Sequence, residues 1–227
     1  MQSTRYFSTK LPNPSQPFVN TFVGFSTGIH ILSLSLFFLL IMMVGCGSEQ
    51  NAIPKPHAFP KIEYPKRAGT NSLDKNFCHF SFKYPSYVVF EQDTAYFDEK
   101  PKDPCWFNLK YPMFNASLYC SYYPINAANK FDKLVADAHE LVGKHNIKAD
   151  YIDELIINKP NHVSGKVFDI QGPAASPFQF YLTDSTKHFF RASLYFNTKT
   201  RPDSLAPIFN FVKTDITEMI NSFEWNK

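Results

Sequence analysis

The sequence predicts an α+β domain, a mostly antiparallel sheet of about seven strands flanked by two main helices. Two observations carry this expectation. Between Phe77 and Asn197, apolar and polar residues alternate in short runs separated by Pro and polar turns. Twice the apolar period lengthens to that of a helix, once in mid-chain and once near the C-terminus. Strands this short, joined by turns and interrupted only once by a helix, pair with their neighbours and do not build parallel crossovers.

The first strand starts at Phe77, where Cys78, Phe80, Phe82 and Tyr84 alternate with His79, Ser81 and Lys83. Pro85 ends it, and Tyr87 to Phe90 reads as a second, short strand. A loop carrying Asp93, Asp98, Glu99 and Asp103 follows. A hairpin comes next: Cys105, Phe107, Leu109 and Tyr111 form one arm, and Ala116, Leu118, Cys120 and Tyr122 the other. Phe131, Leu134, Val135, Ala138, Leu141 and Val142 then recur at helical spacing, with Gly143 where a C-cap glycine belongs. Three further strands are expected at Tyr151–Ile157, Lys166–Gln171 and Gln179–Thr183. Asp184-Ser185-Thr186-Lys187 is a polar turn, and His188–Asn197 is the returning strand. The last helix is expected to be capped by Asp203 or Ser204, with Pro207 in its first turn. Its apolar stripe is Ile208, Phe209, Val212, Ile216, Met219 and Phe223. This order of elements, ending Ile220-Asn221-Ser222-Phe223, is similar to the Mog1/PsbP-like fold, in which helices flank an antiparallel sheet.

The N-terminal part has a different character. Ile31 to Val44 is uncharged and mostly apolar, and Gly45-Cys46 follows. An apolar core, small residues and then Cys is how a bacterial lipoprotein signal peptide ends, so residues 1–45 are expected to be removed and Cys46 lipidated. The stretch is shorter than the roughly 20 residues a bilayer span needs. Met43 stands where Leu is usual, and an uncleaved anchor helix is the alternative, because no charge lies between Lys10 and Glu49. The 30 residues ahead of the apolar core exceed an ordinary signal n-region, which suggests a translation start further along. Residues 46–76 hold Pro54, Pro56, Pro60 and Pro65 and read as an extended tether. Residues 77–227 are then a single periplasmic domain, of ample length for one core.

Composition narrows the function. The chain has 23 Lys and Arg against 20 Asp and Glu, and two of the cations, Arg5 and Lys10, lie in the leader. The remaining domain is close to neutral, so nucleic acid is not an expected partner. Cys78, Cys105 and Cys120 remain after Cys46, an odd number. Export would let one pair form and leave one thiol, and three reduced, buried cysteines are the alternative.

Motifs for catalysis do not assemble. His139-Glu140 lacks a second His four residues on, since position 143 is Gly and His145 falls across the helix; no metal is expected. Gly172-Pro173-Ala174-Ala175-Ser176 lacks the second glycine of a nucleophile elbow. Ser185-Thr186-Lys187-His188 groups hydroxyls with a base, but at a hairpin tip, where a serine has no shielded partner. The acidic loop residues are expected to be solvated, and neither EF-hand spacing nor a phosphate-binding glycine loop occurs. Aromatic residues are the excess, at 17% of the chain. Most fall on inward strand positions, while Tyr119, Tyr123, Phe178 and Tyr181 lie off that phase or beside Pro and could form a partner surface.

Several blocks resemble the gliding-motility lipoprotein family of the GldD type. They are Cys105-Trp106-Phe107-Asn108, Lys144-His145, and Ile147-Lys148-Ala149-Asp150. The longest runs from Ala174 through Ser176-Pro177-Phe178-Gln179-Phe180-Tyr181-Leu182-Thr183-Asp184-Ser185-Thr186-Lys187-His188-Phe189-Phe190 to Arg191. Leu194-Tyr195-Phe196, Asp203-Ser204-Leu205-Ala206-Pro207 and Glu224-Trp225 follow. The resemblance covers about Phe77 to the C-terminus together with Cys46; the long leader and Cys120 depart from it. It implies an envelope lipoprotein needed for gliding motility, in machinery tied to type IX secretion, with other proteins of that machinery as partners. It also implies a Cys78–Cys105 disulfide, and no catalytic residue or cofactor. Ser48, where an Asp would retain a lipoprotein at the inner membrane, favours the outer one.

Two functions follow as expectations. The first is a non-enzymatic subunit docking its partners through the hairpin Phe178–Arg191, with Gln179, Lys187, His188 and Arg191 as polar contacts. The second is a module binding or acting on envelope lipid or peptidoglycan, for which His145, Asp150 and His188 are the candidates.

Overall fold

Alternation decides the layers. In the strand Phe107–Tyr111, Phe107, Leu109 and Tyr111 are buried while Asn108 and Lys110 are not. The same phase runs through the neighbouring strands and makes one continuous core face. The computed structural model describes residues 32–37, 61–92, 101 and 103–226. Two compact units divide the chain, Met1–His57 and Ala58–Lys227. Of the first, residues 32–37 are helical and exposed. No helix among the described residues is long and apolar enough to cross a membrane. Cys46, Asp93, Asp98 and Glu99 lie outside the described residues.

Among its described residues the second unit holds ten strands: β1 (Thr70–Asp74), β2 (Phe80–Pro85), β3 (Val89–Gln92), β4 (Phe107–Tyr111), β5 (Ala116–Pro124), β6 (Tyr151–Lys159), β7 (Val163–Gln171), β8 (Phe178–Thr183), β9 (His188–Phe196) and β10 (Glu224–Trp225). Its helices are α1 (Phe131–Gly143) and α2 (Pro202–Ser222), with a 3-10 turn at Pro112–Phe114. Seven strands form one sheet in the order β3-β4-β5-β9-β8-β7-β6, and β1-β2-β10 form a smaller one. Every pair is antiparallel. The chain is therefore α+β, with a seven-stranded antiparallel sheet between helices.

Two cores separate the layers. On one face of the large sheet, Phe107, Leu118, Phe180 and Phe190 pack against Phe80 and Phe82 of β2 and against Val212, Ile216 and Phe223 from α2 and its end. On the other face, Phe168, Ile170, Tyr181 and Phe189 meet Leu134, Ala138 and Val142 of α1. Strand β8 is covered on both faces, and all six of its residues are buried. Each large side chain removed from water here contributes about 1.5–3 kcal/mol. Gly165 is needed where β7 meets β8, because a Cβ there would stand 1.9 Å from the Tyr181 carbonyl oxygen.

Several boundaries differ from the sequence reading: β2 starts at Phe80, β3 runs Val89–Gln92, β6 reaches Lys159 and β7 starts at Val163. The tether does not extend to residue 76. Strand β1 pairs with β2 over Thr70–Asp74, Leu73 is buried, and Tyr64 packs on Phe114 and Phe211. A polar strand with a single buried side chain carries too little periodicity to be seen without its partner. Helix α2 begins at Pro202 after Arg201, so neither Asp203 nor Ser204 caps it, and Pro207 lies inside the helix beyond its first turn. Gly143 is the last residue of α1, and Lys144 keeps right-handed helical angles, its N–H bonding back to Glu140. The short strand β10 goes unseen in the sequence because two residues have no period.

Candidate functional site

The hairpin β8–β9 lies in the middle of the large sheet, with β7 on one side and β5 on the other. Only its turn is free of neighbouring strands. There Asp184 Oδ1 accepts the backbone N–H groups of Thr186, Lys187 and His188 at 3.0, 2.8 and 2.8 Å. Ser185 adopts the left-handed region at φ 62°. Burial raises the Asp184 carboxyl pKa, but these three donors outweigh it and hold it below its ordinary value. The Thr183 hydroxyl accepts the Ser185 N–H at 2.9 Å and donates to the His188 carbonyl at 2.7 Å, so it serves turn geometry.

The four residues expected to form one polar contact set do not meet. Gln179 is buried in β8 and accepts from Ser193 Oγ at 3.3 Å, so it is unavailable to a partner; this corrects its assignment to the surface. Lys187 is exposed at the tip. Arg191 lies with Gln179 on the α1 face, its guanidinium 5.8 Å from the centre of the Tyr123 ring. His188 projects to the opposite face. The reason is the two-residue period of a strand, since positions 188 and 191 are an odd number apart.

His188 is half-buried in a stack of rings. It lies between His79 at 5.3 Å and Trp225 at 5.1 Å, and its Nδ1 is 2.6 Å from the Tyr122 hydroxyl. Burial lowers its pKa first; the Asp184 charge opposes this, while the His79 and Lys187 charges add to it. A depressed histidine favours the neutral folded form. Its stabilisation is complete above the unfolded pKa, about 6.5, and is lost as pH falls through the lower folded value. Urea midpoints measured at pH 7.5 and pH 5 should therefore fall on acidification, and His188→Phe should flatten that dependence.

The candidates for the alternative function are also dispersed. His145 follows α1, its N–H bonded to the Val142 carbonyl, and burial lowers its pKa. Asp150 is exposed, and its backbone N–H donates to the Gln171 carbonyl at 2.9 Å. His188 sits on the other side of the sheet from α1. A cleft of about 210 Å³ does open between the end of β7, the 172–177 loop and the start of α2. Ile170, Ala174, Pro177, Leu205 and Phe209 are among its lining residues, while His145, Asp150 and His188 are not. His139 sits 3.8 Å from Glu154 and edge-on to Phe168, and no group of three or more metal-ligating side chains occurs among the described residues.

What brings chemistry to the surface is the part of the large sheet on the α1 face that the α1 core does not reach. Register places Asn108, Tyr119 and Ser193 in one row across β4, β5 and β9, and Ser121 beside Arg191 in the next. Tyr119 is 44% exposed and meets Tyr195 edge-on at 5.6 Å. Tyr119 and Tyr123 fall off the core phase already in the sequence; that Arg191 and Tyr195 join them needs the register of β5 on β9.

Two features had no sequence signal. Asp215, buried in α2, accepts from Arg67 Nε at 2.8 Å and from the Tyr87 hydroxyl, while Arg67 Nη2 donates to the Phe211 carbonyl at 3.0 Å. Burial first, then the hydrogen bond to Asp215, pushes the Tyr87 phenol above its ordinary value. Lys159 Nζ donates to the carbonyls of Ile220, Asn221 and Phe223 at 2.6, 2.8 and 3.1 Å, closing the C-terminal end of α2. The structure also joins Cys78 to Cys105, with Cα atoms 5.4 Å apart, and leaves Cys120 as a free, buried thiol.

Comparison with known proteins follows this geometry. No curated protein matches the chain. One similar solved structure is the solution structure of cyanobacterial PsbP (CyanoP) from Synechocystis sp. PCC 6803. It has 9% sequence identity and a TM-score of 0.44, covering 72% of this chain and 98% of that one. The family model described as gliding motility lipoprotein GldD matches residues 49–225, most of the chain and all but two residues of the folded unit's C-terminal end. The chain belongs to the gliding motility lipoprotein GldD family.

Proposed function

We propose that this chain is a lipid-anchored envelope subunit that works by docking other proteins of the gliding machinery, without catalysis of its own. The lipid sits on Cys46, the tether ends near residue 60, and the domain stands in the periplasm, anchored at the outer membrane. The machinery is the one tied to type IX secretion, in which the subunit acts as a component or an assembly factor.

The observation that carries this reading is the open sheet face around Tyr119, Tyr195 and Arg191. Tyr and Arg are the residue types that dominate protein interfaces, and a sheet holds them rigid at little entropic cost. The titratable groups support it as well. Asp215, Lys159 and Asp184 are all engaged in holding the fold, and His145, Asp150 and His188 do not converge.

The test is crosslinking in native membranes, followed by isolation of the lipidated protein and identification of what accompanies it. Wild type should bring a fixed set of motility or secretion components. A Tyr119→Ala/Arg191→Glu variant with an unchanged thermal midpoint should lose most of that set and glide poorly. Wild-type capture and gliding by the variant would remove this face from the account. The cleft beside α2 favours a second reading, a module that binds an apolar envelope molecule. Recovery of the wild-type protein with bound lipid and no protein would favour it.

A further inference from the structure

The edges of the two sheets are managed unequally. At one end of the large sheet β3 is four residues long and carries Glu91, paired with Lys110. In the small sheet β10 is two residues long, and the exposed side chains of β1 are Thr70, Asn71, Ser72 and Asp74. Short or polar edges are the ordinary protection against strand addition. The remaining edge, β6, carries Asp153, Glu154 and Lys159 but is the longest of the four and holds three consecutive apolar residues, Leu155-Ile156-Ile157. It is nine residues long, pairs one-to-one with β7 without a bulge, and contains no proline. Leu155 is 57% exposed on the α2 face and Ile156 83% exposed on the α1 face, so apolar side chains stand beyond both covering layers. A single solvated face would expose one of these, whereas a strand continued by another strand needs both.

We propose that β6 pairs antiparallel with β6 of a second copy of this chain, about a two-fold axis through Ile156. The occupant follows from the order of side chains along the strand. With the axis at Ile156, Leu155 faces Ile157 of the second copy, Ile156 faces itself, and Asp153 faces Lys159, whose Nζ stays on the carbonyls that end α2. Glu154 faces Asn158, its charge already matched by Lys166 Nζ at 2.6 Å within its own subunit. Moving the axis one residue back to Leu155 sets Asp153 against Ile157 and Glu154 against Ile156. Moving it to Glu154 sets two carboxylates directly opposite, which is destabilising. Of these registers, the one centred on Ile156 matches apolar with apolar at its centre, over Leu155 to Ile157, and sets no like charges opposite each other, as a self-complementary two-fold interface requires. The result is a sheet of fourteen strands, formed at an edge separate from the Tyr119 face.

The experiment uses the full chain in the membranes of the producing cell, with single cysteines added and a short bis-maleimide as probe. Ile156→Cys should convert most of the protein to a band at twice its mass. Ile147→Cys, 90% exposed but nine residues from the axis, should give none. As a second measurement, Ile156→Lys, which places like charges on the axis, should weaken self-association of the detergent-solubilised chain by roughly tenfold in sedimentation, with its thermal midpoint kept. No dimer band from Ile156→Cys, an equal band from Ile147→Cys, or a product whose added mass is another protein would overturn the proposal. So would unchanged self-association of the lysine variant.

Discussion

Replacing Cys78 and Cys105 together by alanine is expected to destabilise the domain by about 3.5 kcal/mol, the chain-entropy value for a bridge closing a loop of this length. The bridge spans 27 residues and ties the start of β2 to the start of β4, and so the small sheet to the large one. Both sulfurs are shielded, so little solvation is regained when the bond is lost. For a domain of this size the thermal midpoint should fall by roughly 7–14 °C. Thiol titration provides the companion measurement. Of Cys78, Cys105 and Cys120, one should react in the unfolded, unreduced protein. In the folded protein none should, because burial raises the Cys120 thiol pKa well above its ordinary value. An unchanged midpoint, or three reactive thiols after unfolding, would sink the expectation.

Arg67→Ala should cost about 3 kcal/mol, the low end of what breaking a buried ion pair costs. The low end applies because the Arg67 side chain is itself 39% exposed, whereas that of Asp215 is fully covered. Removing the guanidinium leaves the Asp215 carboxylate buried with Tyr87 as its remaining side-chain partner. It also removes the cation 4.1 Å above the Phe211 ring and releases the chain before β1. Replacing both members, as Arg67→Met/Asp215→Leu, should restore much of the loss, since the desolvated charge then disappears with its partner. Urea midpoints of the three proteins decide the matter: a double variant as unstable as Arg67→Ala would show that packing, not the stranded charge, sets the cost.

These two predictions mark where the sequence stopped being readable. Both cysteines are plain in it, and their pairing followed from a family resemblance, because spacing alone left alternatives. Arg67 and Asp215 carried no signal at all. They are 148 residues apart, one in a segment that reads as tether and the other on a helix whose apolar stripe surrounds it. The partner surface was legible by half. Tyr119 and Tyr123 break the core phase visibly, and Arg191 joins them, but Phe178, Gln179 and Tyr181, expected at the same surface, are buried because strand β8 is covered on both faces. A strand covered on both sides and a strand covered on one differ in their neighbours, and those neighbours lie elsewhere in the chain.

What the sequence determined by itself is local: the two-residue period of the strands around Phe80, Phe107, Leu118 and Phe190, the helical period of α1 and α2, and hence an α+β domain. These are set by how successive side chains point, which needs no knowledge of the fold. What the tertiary structure alone decided is long-range. It set the order β3-β4-β5-β9-β8-β7-β6, the small sheet completed by the last residues, the Arg67–Asp215 tie, and the edge left open at β6. Each depends on which distant segments can pack together without leaving apolar surface or polar groups unsatisfied. That is a property of the folded whole, so no window of the sequence holds it.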